Sequence, residues 1–198
     1  MFYHIVRIII YPFVLLLFRP KVKGKENIPN GGGYIICPNH VSILDVFVLL
    51  IPFKCHIRYM GKEELFKNPI FAFLLRALGG FAVKRGKGDT GAIDKACDIL
   101  NEGGVFGIFP EGTRSKDGKI GKGKTGAAVV SIKTKAPLLP VSIRYSTGKA
   151  RFFCKTYINI GEPINYQEAN EEKSLRTNIR EITERLMNNI TKLWEMGD

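Results

Sequence analysis

Short apolar segments alternate with longer amphipathic segments along most of this 198-residue chain, and glycine or proline residues separate them. The apolar runs 105–109 and 138–145 have the length of β-strands, whereas residues 175–193 repeat apolar side chains at helical spacing. Repeated strand–helix units indicate an α/β fold, because such units place helices on the faces of a central sheet. We therefore predict an α/β single domain with a largely parallel or mixed central sheet flanked by helices.

The individual elements follow from the same pattern. The predicted strands are 34–37, 56–60, 81–84, 105–109, 138–145 and 152–160. The predicted helices are 42–50, the segment between Asn68 and Gly79, the segment between Asp89 and Gly103, 124–133 and a long C-terminal helix.

Residues 1–18 are the most apolar part of the chain and are typical of a helix. A helix there places His4, Arg7 and Tyr11 on one narrow stripe. Pro12 is expected to kink or end it. A cationic run follows directly and consists of Arg19, Lys21, Lys23 and Lys25.

Several roles for this segment are open. A cleaved signal peptide is disfavoured, because the basic residues follow the apolar stretch and no small-residue cleavage site is visible. A transmembrane span needs roughly 20 apolar residues, which the segment barely supplies. An interfacial helix with a basic collar fits best, and a helix packed on the protein's own core is the alternative. We predict a membrane-associating segment at residues 1–20 and the main domain at 21–198.

The chain carries 30 Lys and Arg against 18 Asp and Glu, which gives a net charge of +12. Such an excess indicates an anionic partner, and charge alone leaves nucleic acid, membrane surface and phosphorylated substrate open. Nucleic-acid binding requires basic residues interleaved with exposed aromatic side chains. Phe71, Phe73 and Phe106 instead follow core patterns, so we predict no nucleic-acid partner.

The chain has four widely spaced cysteines that form no C-x-x-C pair: Cys37, Cys55, Cys97 and Cys154. Their neighbours predict buried, reduced thiols rather than disulfides or a zinc site. The histidines His4, His40 and His56 lack the spacing of metal ligands. We therefore predict no metal site.

Polar side chains stand where the strand 34–37 gives way to a helix, in the sequence Asn39-His40-Val41-Ser42-Ile43-Leu44-Asp45. The carboxyl ends of strands are where α/β sheets build their sites. His40 can act as a general base near neutral pH, and Asp45 can orient its ring if the chain bends before the helix. A structural role is the alternative, because Ser42 and Asp45 also match the capping-box spacing.

A second polar block, Phe109-Pro110-Glu111-Gly112-Thr113-Arg114-Ser115, follows the most apolar predicted strand. Gly112 permits close backbone approach, Thr113 supplies a hydroxyl, and Arg114 can bind a phosphate through two hydrogen bonds. Glu111 can hold Arg114 or contact a ligand hydroxyl. An ordinary polar turn is the alternative interpretation of the block.

Two further cations, Lys84 and Arg85, end the predicted strand 81–84 just before Gly86. They add positive charge at a similar position relative to the sheet. Surface cations that follow a strand are usually only solvated, which is the alternative here.

Residues 118–125 match the phosphate-loop pattern G-x-x-x-x-G-K-[ST] letter for letter. A nucleotide-binding loop should leave an apolar strand directly, whereas the preceding residues 114–117 are polar. No apolar run ending in Asp supplies a magnesium partner either. The pattern therefore favours a chance match over an NTPase.

Four segments together resemble the glycerolipid acyltransferases. The stretch from Asn39 to Asp45 resembles the family's N-H-x4-D block, and residues 109–115 are similar to its F-P-E-G-T-R-S block. Residues 80–85 and 137–143 resemble the intermediate and the fourth block, with Lys84 where many relatives carry an acidic residue. All four occur in the family's order, and the compact length and basic N-terminal segment look most like bacterial 1-acyl-glycerol-3-phosphate acyltransferases.

The resemblance implies transfer of a fatty acyl group from an acyl thioester to the sn-2 hydroxyl of lysophosphatidic acid, giving phosphatidic acid. It implies His40 as the base, Asp45 as its partner, and Arg85, Glu111, Gly112, Thr113 and Arg114 as substrate-binding residues. The donor would be acyl-CoA or acyl carrier protein, with no further cofactor and no metal.

Membrane lipids are then expected partners, with the enzyme at the cytoplasmic face of the membrane as a monotopic or peripheral protein. Another lysophospholipid acceptor, or an anionic-lipid-binding protein without turnover, is the alternative.

Overall fold

The computed structural model describes residues 2–83, 90–115, 117–166 and 174–197, which form an α/β fold around a mixed seven-stranded sheet. The strands are β1 (Pro20–Lys23), β2 (Ile35–Pro38), β3 (Ile57–Lys62), β4 (Gly80–Val83), β5 (Val105–Gly107), β6 (Leu138–Tyr145) and β7 (Thr156–Ile160). The α-helices are α1 (Phe2–Phe18), α2 (Asp45–Val48), α3 (Pro69–Ala77), α4 (Thr90–Asn101), α5 (Gly126–Thr134) and α6 (Leu175–Glu195). Two short 3-10 helices span Lys25–Asn27 and Glu63–Phe66. The predicted single α/β domain with helices flanking its sheet is confirmed.

The strands lie in the order β1-β7-β6-β2-β5-β3-β4. The run from β6 to β4 is parallel, whereas β7 is antiparallel to β6 and β1 is parallel to β7. Ile36 of β2 pairs with Gly107 of β5 on one side and with Leu139 of β6 on the other. The carboxyl ends of β6, β2 and β5 therefore meet at one edge of the sheet.

The two faces of the sheet carry separate hydrophobic cores, because successive strand residues point to opposite faces. On one face, Ile36 packs with Val14 and Phe18 of α1 and with α2. On the other face, Ile35 packs with α4, α5 and α6, including Leu186. Burying one such large apolar side chain contributes roughly 1.5–3 kcal/mol, so the helices are held chiefly by these contacts.

Helix α1 is continuous from Phe2 to Phe18, so the helix does not end at Pro12 as the sequence allowed. Pro12 lies on the exposed side, where water can satisfy the carbonyl that loses its helical donor. The predicted polar stripe faces the domain only in part: Arg7 is half-buried and its Nη2 donates to the Leu50 carbonyl over 3.3 Å, whereas His4 is exposed.

Several other elements differ from the sequence prediction, including the predicted strand 105–109, which ends at Gly107. The middle of the cationic run after α1 forms the edge strand β1, where Lys21 and Lys23 are exposed. Exposed lysines on an edge strand disfavour pairing with other chains. The predicted strand 152–160 begins only at Thr156, because Phe153 adopts a left-handed backbone with φ of 65°. Of the predicted helix 42–50, only Asp45–Val48 is α-helical in the structure, as α2.

The aromatic side chains divide between core and surface. Phe106 is fully buried as predicted, but Phe73 is 61% exposed on α3. The prediction that Phe73 belongs to the core is therefore wrong, since its helix buries other positions such as Ala72 and Leu75. The side chain of Phe71 lies outside the described residues.

All four cysteines are free thiols. Cys37 and Cys154 are buried, whereas Cys55 and Cys97 are half-buried. Within the described ranges, no cluster of three or more His, Cys, Asp or Glu side chains could hold a metal ion.

Candidate active site

The imidazole of His40 and the carboxylate of Asp45 lie together just beyond the carboxyl end of β2. His40 Nδ1 is 2.9 Å from Asp45 Oδ2, and the Asp45 side chain is completely buried. Residues 41–44 form a turn rather than a continuous helix, so positions five apart can meet. The predicted pair is therefore brought together by the bend that precedes α2.

The Asp45 carboxylate also holds the turn itself. Its Oδ2 accepts the backbone N–H of Val41 over 2.8 Å and that of Ser42 over 2.9 Å. The Ser42 contact is the half of a capping box in which the acidic residue reaches back to the chain. The catalytic and the structural interpretations of Asp45 thus describe the same carboxylate, which fixes the loop and the imidazole at once.

Tyr145, the last residue of β6, completes the surroundings of Asp45. Its hydroxyl donates to Asp45 Oδ1 over 2.7 Å. Burial and the neighbouring Asp45 carboxylate raise the pKa of Tyr145, so the hydroxyl keeps the proton that it donates. Sequence reasoning missed this residue, although its place at a predicted strand end was a usable signal.

The His40 ring is fixed by stacking as well as by Asp45. Its centroid lies 3.8 Å from that of Phe109 at an interplanar angle of 21°. Because Nδ1 faces a carboxylate, the neutral ring carries its proton there and leaves Nε2 as the basic nitrogen. The side chain is 18% exposed, so the ring reaches solvent at one edge.

Glu111 connects three loops through its two carboxylate oxygens. Oε1 accepts the backbone N–H of His40 and Oε2 accepts that of Gly121, each over 2.9 Å. The side chain is 6% exposed. The described contacts of Glu111 are thus with backbone amides rather than with Arg114, and its predicted part in substrate binding stays a prediction.

The turn that follows Glu111 lies beside His40. Gly112 has a φ of 67°, a left-handed conformation that glycine adopts without strain, and its N–H closes the turn onto the Phe109 carbonyl. Thr113 and Arg114 are exposed. The Ser115 N–H donates to the His40 carbonyl over 2.7 Å, which joins the two polar blocks directly.

The remaining predicted substrate-binding residue, Arg85, lies outside the described residues, as do Lys84 and Asp89, the boundary of a predicted helix. The strand that leads to Arg85 is described. It is β4, which ends at Val83 and is separated from β5 by β3.

The side chain of Asn39 connects the residue before His40 to strand β6. Its amide donates to the Ile143 carbonyl over 3.0 Å and accepts the Ile143 N–H, and the side chain is 1% exposed. The side chain thereby continues the β2–β6 ladder beyond the backbone of β2. The sequence indicated only that Asn39 belongs to a motif; this bridging role depends on the distant strand β6.

Chemically, the edge offers an oriented base next to a turn with an exposed guanidinium. Such an arrangement suits proton removal from a hydroxyl on an anionic substrate. The base and the turn are connected by backbone contacts, so their relative position is fixed by the fold.

Comparison with known proteins places this site in a family. The model of a family described as "Acyltransferase" matches residues 19–144, which contain both polar blocks. A 1-acyl-sn-glycerol-3-phosphate acyltransferase from Bacillus subtilis is 36% identical over 151 residues, 73% of this chain and 73% of that protein. One from Borreliella burgdorferi is 34% identical over 139 residues, 69% of this chain and 54% of that protein.

A solved structure agrees with these relatives. The crystal structure of the 1-acyl-sn-glycerophosphate acyltransferase PlsC from Thermotoga maritima superimposes with a TM-score of 0.72 at 31% sequence identity. The match covers 95% of this chain and 79% of that one. From its strand-end site, its sequence relatives and its fold, the chain belongs to the acyltransferase family.

Proposed function

We propose that the chain transfers a fatty acyl group from an acyl thioester to the sn-2 hydroxyl of 1-acyl-sn-glycerol-3-phosphate, giving phosphatidic acid. The observation that carries the proposal is the 2.9 Å His40–Asp45 pair, which lies beside the Gly112–Arg114 turn with its exposed Thr113 and Arg114. The names of the relatives from Bacillus subtilis and Borreliella burgdorferi support the same substrate.

His40 is the proposed general base. Its Nε2 takes the proton of the acceptor hydroxyl while that oxygen attacks the thioester carbonyl. The C–S bond then breaks, and the leaving thiolate takes the proton back from the imidazolium. Asp45 orients the ring and stabilises the positive charge that forms on it. General base catalysis of this kind is worth about 10²–10⁴-fold in rate.

Arg114 is the proposed ligand of the acceptor's phosphate, together with Thr113, the close backbone at Gly112 and Arg85. Arg114 is exposed, and in the described part of the chain no carboxylate lies within ion-pair distance of it. A guanidinium in this state can bind a phosphate monoester through two parallel hydrogen bonds.

The proposed transfer is direct and needs no acyl-enzyme. Burial raises the pKa of the Cys37 thiol well above its usual range, so Cys37 is a poor nucleophile. Burial also raises the pKa of Cys55 and of Cys97. The thioester, as acyl-CoA or acyl carrier protein, is a co-substrate, and the proposed chemistry calls for no cofactor or metal.

We propose that α1 rests on the membrane. In the described ranges, no helix combines the length and the apolar character that crossing a bilayer requires. The outer side of α1 is nevertheless apolar, with Ile8 69%, Phe13 60% and Leu16 61% exposed.

Two other segments add exposed apolar side chains to this surface, which we call the α1 face. They are Ile70 and Phe73 of α3 and the turn residues Phe152 and Phe153.

An apolar surface of this kind is typical of proteins that insert a helix into the headgroup region of a membrane. The exposed Arg19, Lys21 and Lys23 border the carboxyl end of α1, where they can meet anionic headgroups. The cytoplasmic leaflet carries such lipids, so we propose that the chain binds at the cytoplasmic face.

A panel of acceptors tests the proposed function. Purified protein is given a radiolabelled acyl thioester and one acceptor at a time: lysophosphatidic acid, lysophosphatidylglycerol, lysophosphatidylcholine or monoacylglycerol. We expect labelled phosphatidic acid and kcat/KM at least tenfold higher for lysophosphatidic acid than for the others. Equal rates with lysophosphatidylcholine would contradict the proposal that lysophosphatidic acid is the preferred acceptor. If no acceptor gives a product, the proposed reaction is wrong.

A further inference from the structure

The segment 117–125, which we call the glycine–lysine loop, has no part in the chemistry described so far. Its letters match a nucleotide-binding loop, but β5 ends at Gly107, well before the match begins at Gly118. The segment that leads into the loop is the turn at Gly112 and the residues after it, rather than a strand. The loop therefore lacks the strand that a nucleotide-binding loop requires.

Two backbone contacts tie the glycine–lysine loop to the polar turn. The Gly121 N–H donates to Glu111 Oε2 over 2.9 Å, and the Lys124 N–H donates to the Pro110 carbonyl over 2.7 Å. Since Glu111 also holds the backbone of His40, the loop is fixed relative to the catalytic base. The backbone of the loop therefore keeps a defined position at the site.

The side chain of Lys124 folds over Gly112. A methyl group placed on Gly112 would stand 2.9 Å from Lys124 Nζ and 2.9 Å from its Cδ. The ammonium thus lies against the turn that carries Arg114. Lys124 is exposed, and within the described ranges no carboxylate oxygen lies within 4 Å of Nζ.

The turn beneath Lys124 presents hydrogen-bond donors. In the part of the chain that the structure describes, the backbone N–H groups of Thr113 and Arg114 donate to no other residue. They follow a left-handed glycine, a backbone arrangement that often forms an anion-binding concavity. The turn that is hydrogen-bonded to the His40 backbone therefore carries the Lys124 side chain on Gly112, the exposed Arg114 and two amides without a partner among the described residues.

We propose that Lys124 is a further ligand of the acceptor's phosphate, supplied by the glycine–lysine loop opposite Arg114. This inference rests on the proposed function. A phosphate monoester carries up to two negative charges and three free oxygens, so two cations and the turn amides can bind it together. A neutral acceptor gives Lys124 nothing to bind.

Steady-state kinetics test the proposal. Lys124→Ala should raise the KM for lysophosphatidic acid roughly 10- to 100-fold, the usual worth of a charge-assisted contact, with kcat and the donor KM within threefold of wild type. Lys124→Arg should recover most of the loss. The matched control is Lys122→Ala, since Lys122 is an exposed lysine of the same loop. An unchanged KM in Lys124→Ala with normal thermal stability would overturn the proposal.

A binding measurement separates this proposal from the reaction itself. In the His40→Ala background, which should not turn over, titration calorimetry in detergent micelles compares lysophosphatidic acid with monoacylglycerol. Adding Lys124→Ala should weaken binding of the phosphate-bearing lipid only. If it instead weakens binding of coenzyme A and spares lysophosphatidic acid, Lys124 serves the donor and the proposal is wrong. If the wild type fails to acylate any acceptor, the proposed function fails while this binding result still stands.

Discussion

The Asp45 carboxylate accepts hydrogen bonds from one imidazole, one hydroxyl and two backbone amides. A buried carboxylate with this many donors cannot rotate without losing several of them at once. The imidazole that it holds is therefore aimed before substrate arrives, which is the condition for efficient proton transfer.

Tyr145→Phe removes one of these donors and leaves the ring in place. We expect kcat to fall about 3- to 30-fold with the acceptor KM unchanged, because the hydroxyl contacts Asp45 and not the substrate. The free energy of unfolding should fall by about 1–3 kcal/mol, since a buried acceptor loses its partner. Steady-state kinetics and urea unfolding measure the two effects, and a normal kcat would show that Tyr145 does not position the pair.

Glu111→Gln tests the junction between the loops. An amide side chain has one acceptor oxygen, whereas Glu111 accepts N–H groups with both of its oxygens. The new NH2 group would face a backbone donor, so we expect a loss of about 1–3 kcal/mol in unfolding free energy and a lower kcat. Arg180→Ala, an exposed α6 arginine, is the control. If Glu111→Gln has the same unfolding free energy as the wild type, the two hydrogen bonds of Glu111 do not hold the loops together.

The site was predictable from the sequence to the extent that its contacts are local. His40 and Asp45 are five residues apart, so a bend at a strand end sufficed to predict their meeting. Tyr145 reaches Asp45 across 100 positions, and that contact depends on β6 lying next to β2. For Glu111 the sequence offered a local partner, Arg114, or a ligand hydroxyl, whereas its described partners are amides of two other loops.

At the scale of elements, α1 combines two kinds of contact. Tyr3, Val14 and Phe18 are buried against the domain, and the opposite side of the same helix is apolar and exposed. The alternative, a helix packed on the protein, holds for the buried side of α1, whereas the interfacial helix stays a prediction that concerns the exposed side. Pro12 does not end α1, because a proline at an exposed helical position leaves the unpaired carbonyl accessible to water.

Charges placed on the α1 face should separate membrane binding from catalysis. Ile8→Glu with Phe13→Glu alters two side chains that are more than half exposed, so the fold should persist. Each apolar side chain buried in a membrane contributes roughly 1.5–3 kcal/mol, so vesicle binding should weaken about 100-fold or more. Co-sedimentation with phosphatidylglycerol vesicles measures the loss of vesicle binding.

The control for this double variant is its activity on lysophosphatidic acid in detergent micelles, which should stay within about threefold of wild type if only docking is lost. Undiminished sedimentation of the double variant would show that another surface binds the membrane.

The attachment of α1 should also respond to pH. Tyr3 of α1 stacks on His56 with ring centroids 4.2 Å apart. Burial and the neighbouring Arg58 lower the pKa of His56, so the folded chain disfavours its protonated form. The unfolded chain binds that proton more readily, and His56 therefore costs stability as the pH falls through the unfolded value near 6.5.

We expect the drop in thermal midpoint between pH 7.5 and 5.5 to be smaller in His56→Gln than in the wild type. Differential scanning fluorimetry across that range measures the difference. An identical pH dependence in the two proteins would show that His56 does not carry the effect.

At the scale of the whole molecule, the sheet brings together segments from residues 39 to 145 at one edge. The α/β class was predictable because strand and helix periods alternate along the chain. The strand order was not, since the partners of short apolar strands depend on contacts between distant residues. The edge strand β1 was missed because Pro20–Lys23 has too few apolar residues to indicate a strand.

The positive charge of the chain divides among several surfaces. Arg19, Lys21 and Lys23 border the α1 face, whereas Arg114 and Lys124 stand at the polar turn beside His40. We propose that the cations behind the net charge of +12 bind a lipid surface at the first place and a substrate phosphate at the second. Substitutions in the first group should therefore weaken vesicle binding, and substitutions in the second should raise the KM for the acceptor.

His40 is the proposed base in a direct transfer of the acyl group. The most direct test is the rate of phosphatidic acid formation from a labelled acyl thioester and lysophosphatidic acid with saturating substrates, for wild type and His40→Ala. We predict a loss of at least about 10²-fold in kcat, with vesicle binding and lysophosphatidic acid affinity retained. Turnover by His40→Ala within a fewfold of the wild-type rate would contradict the claim.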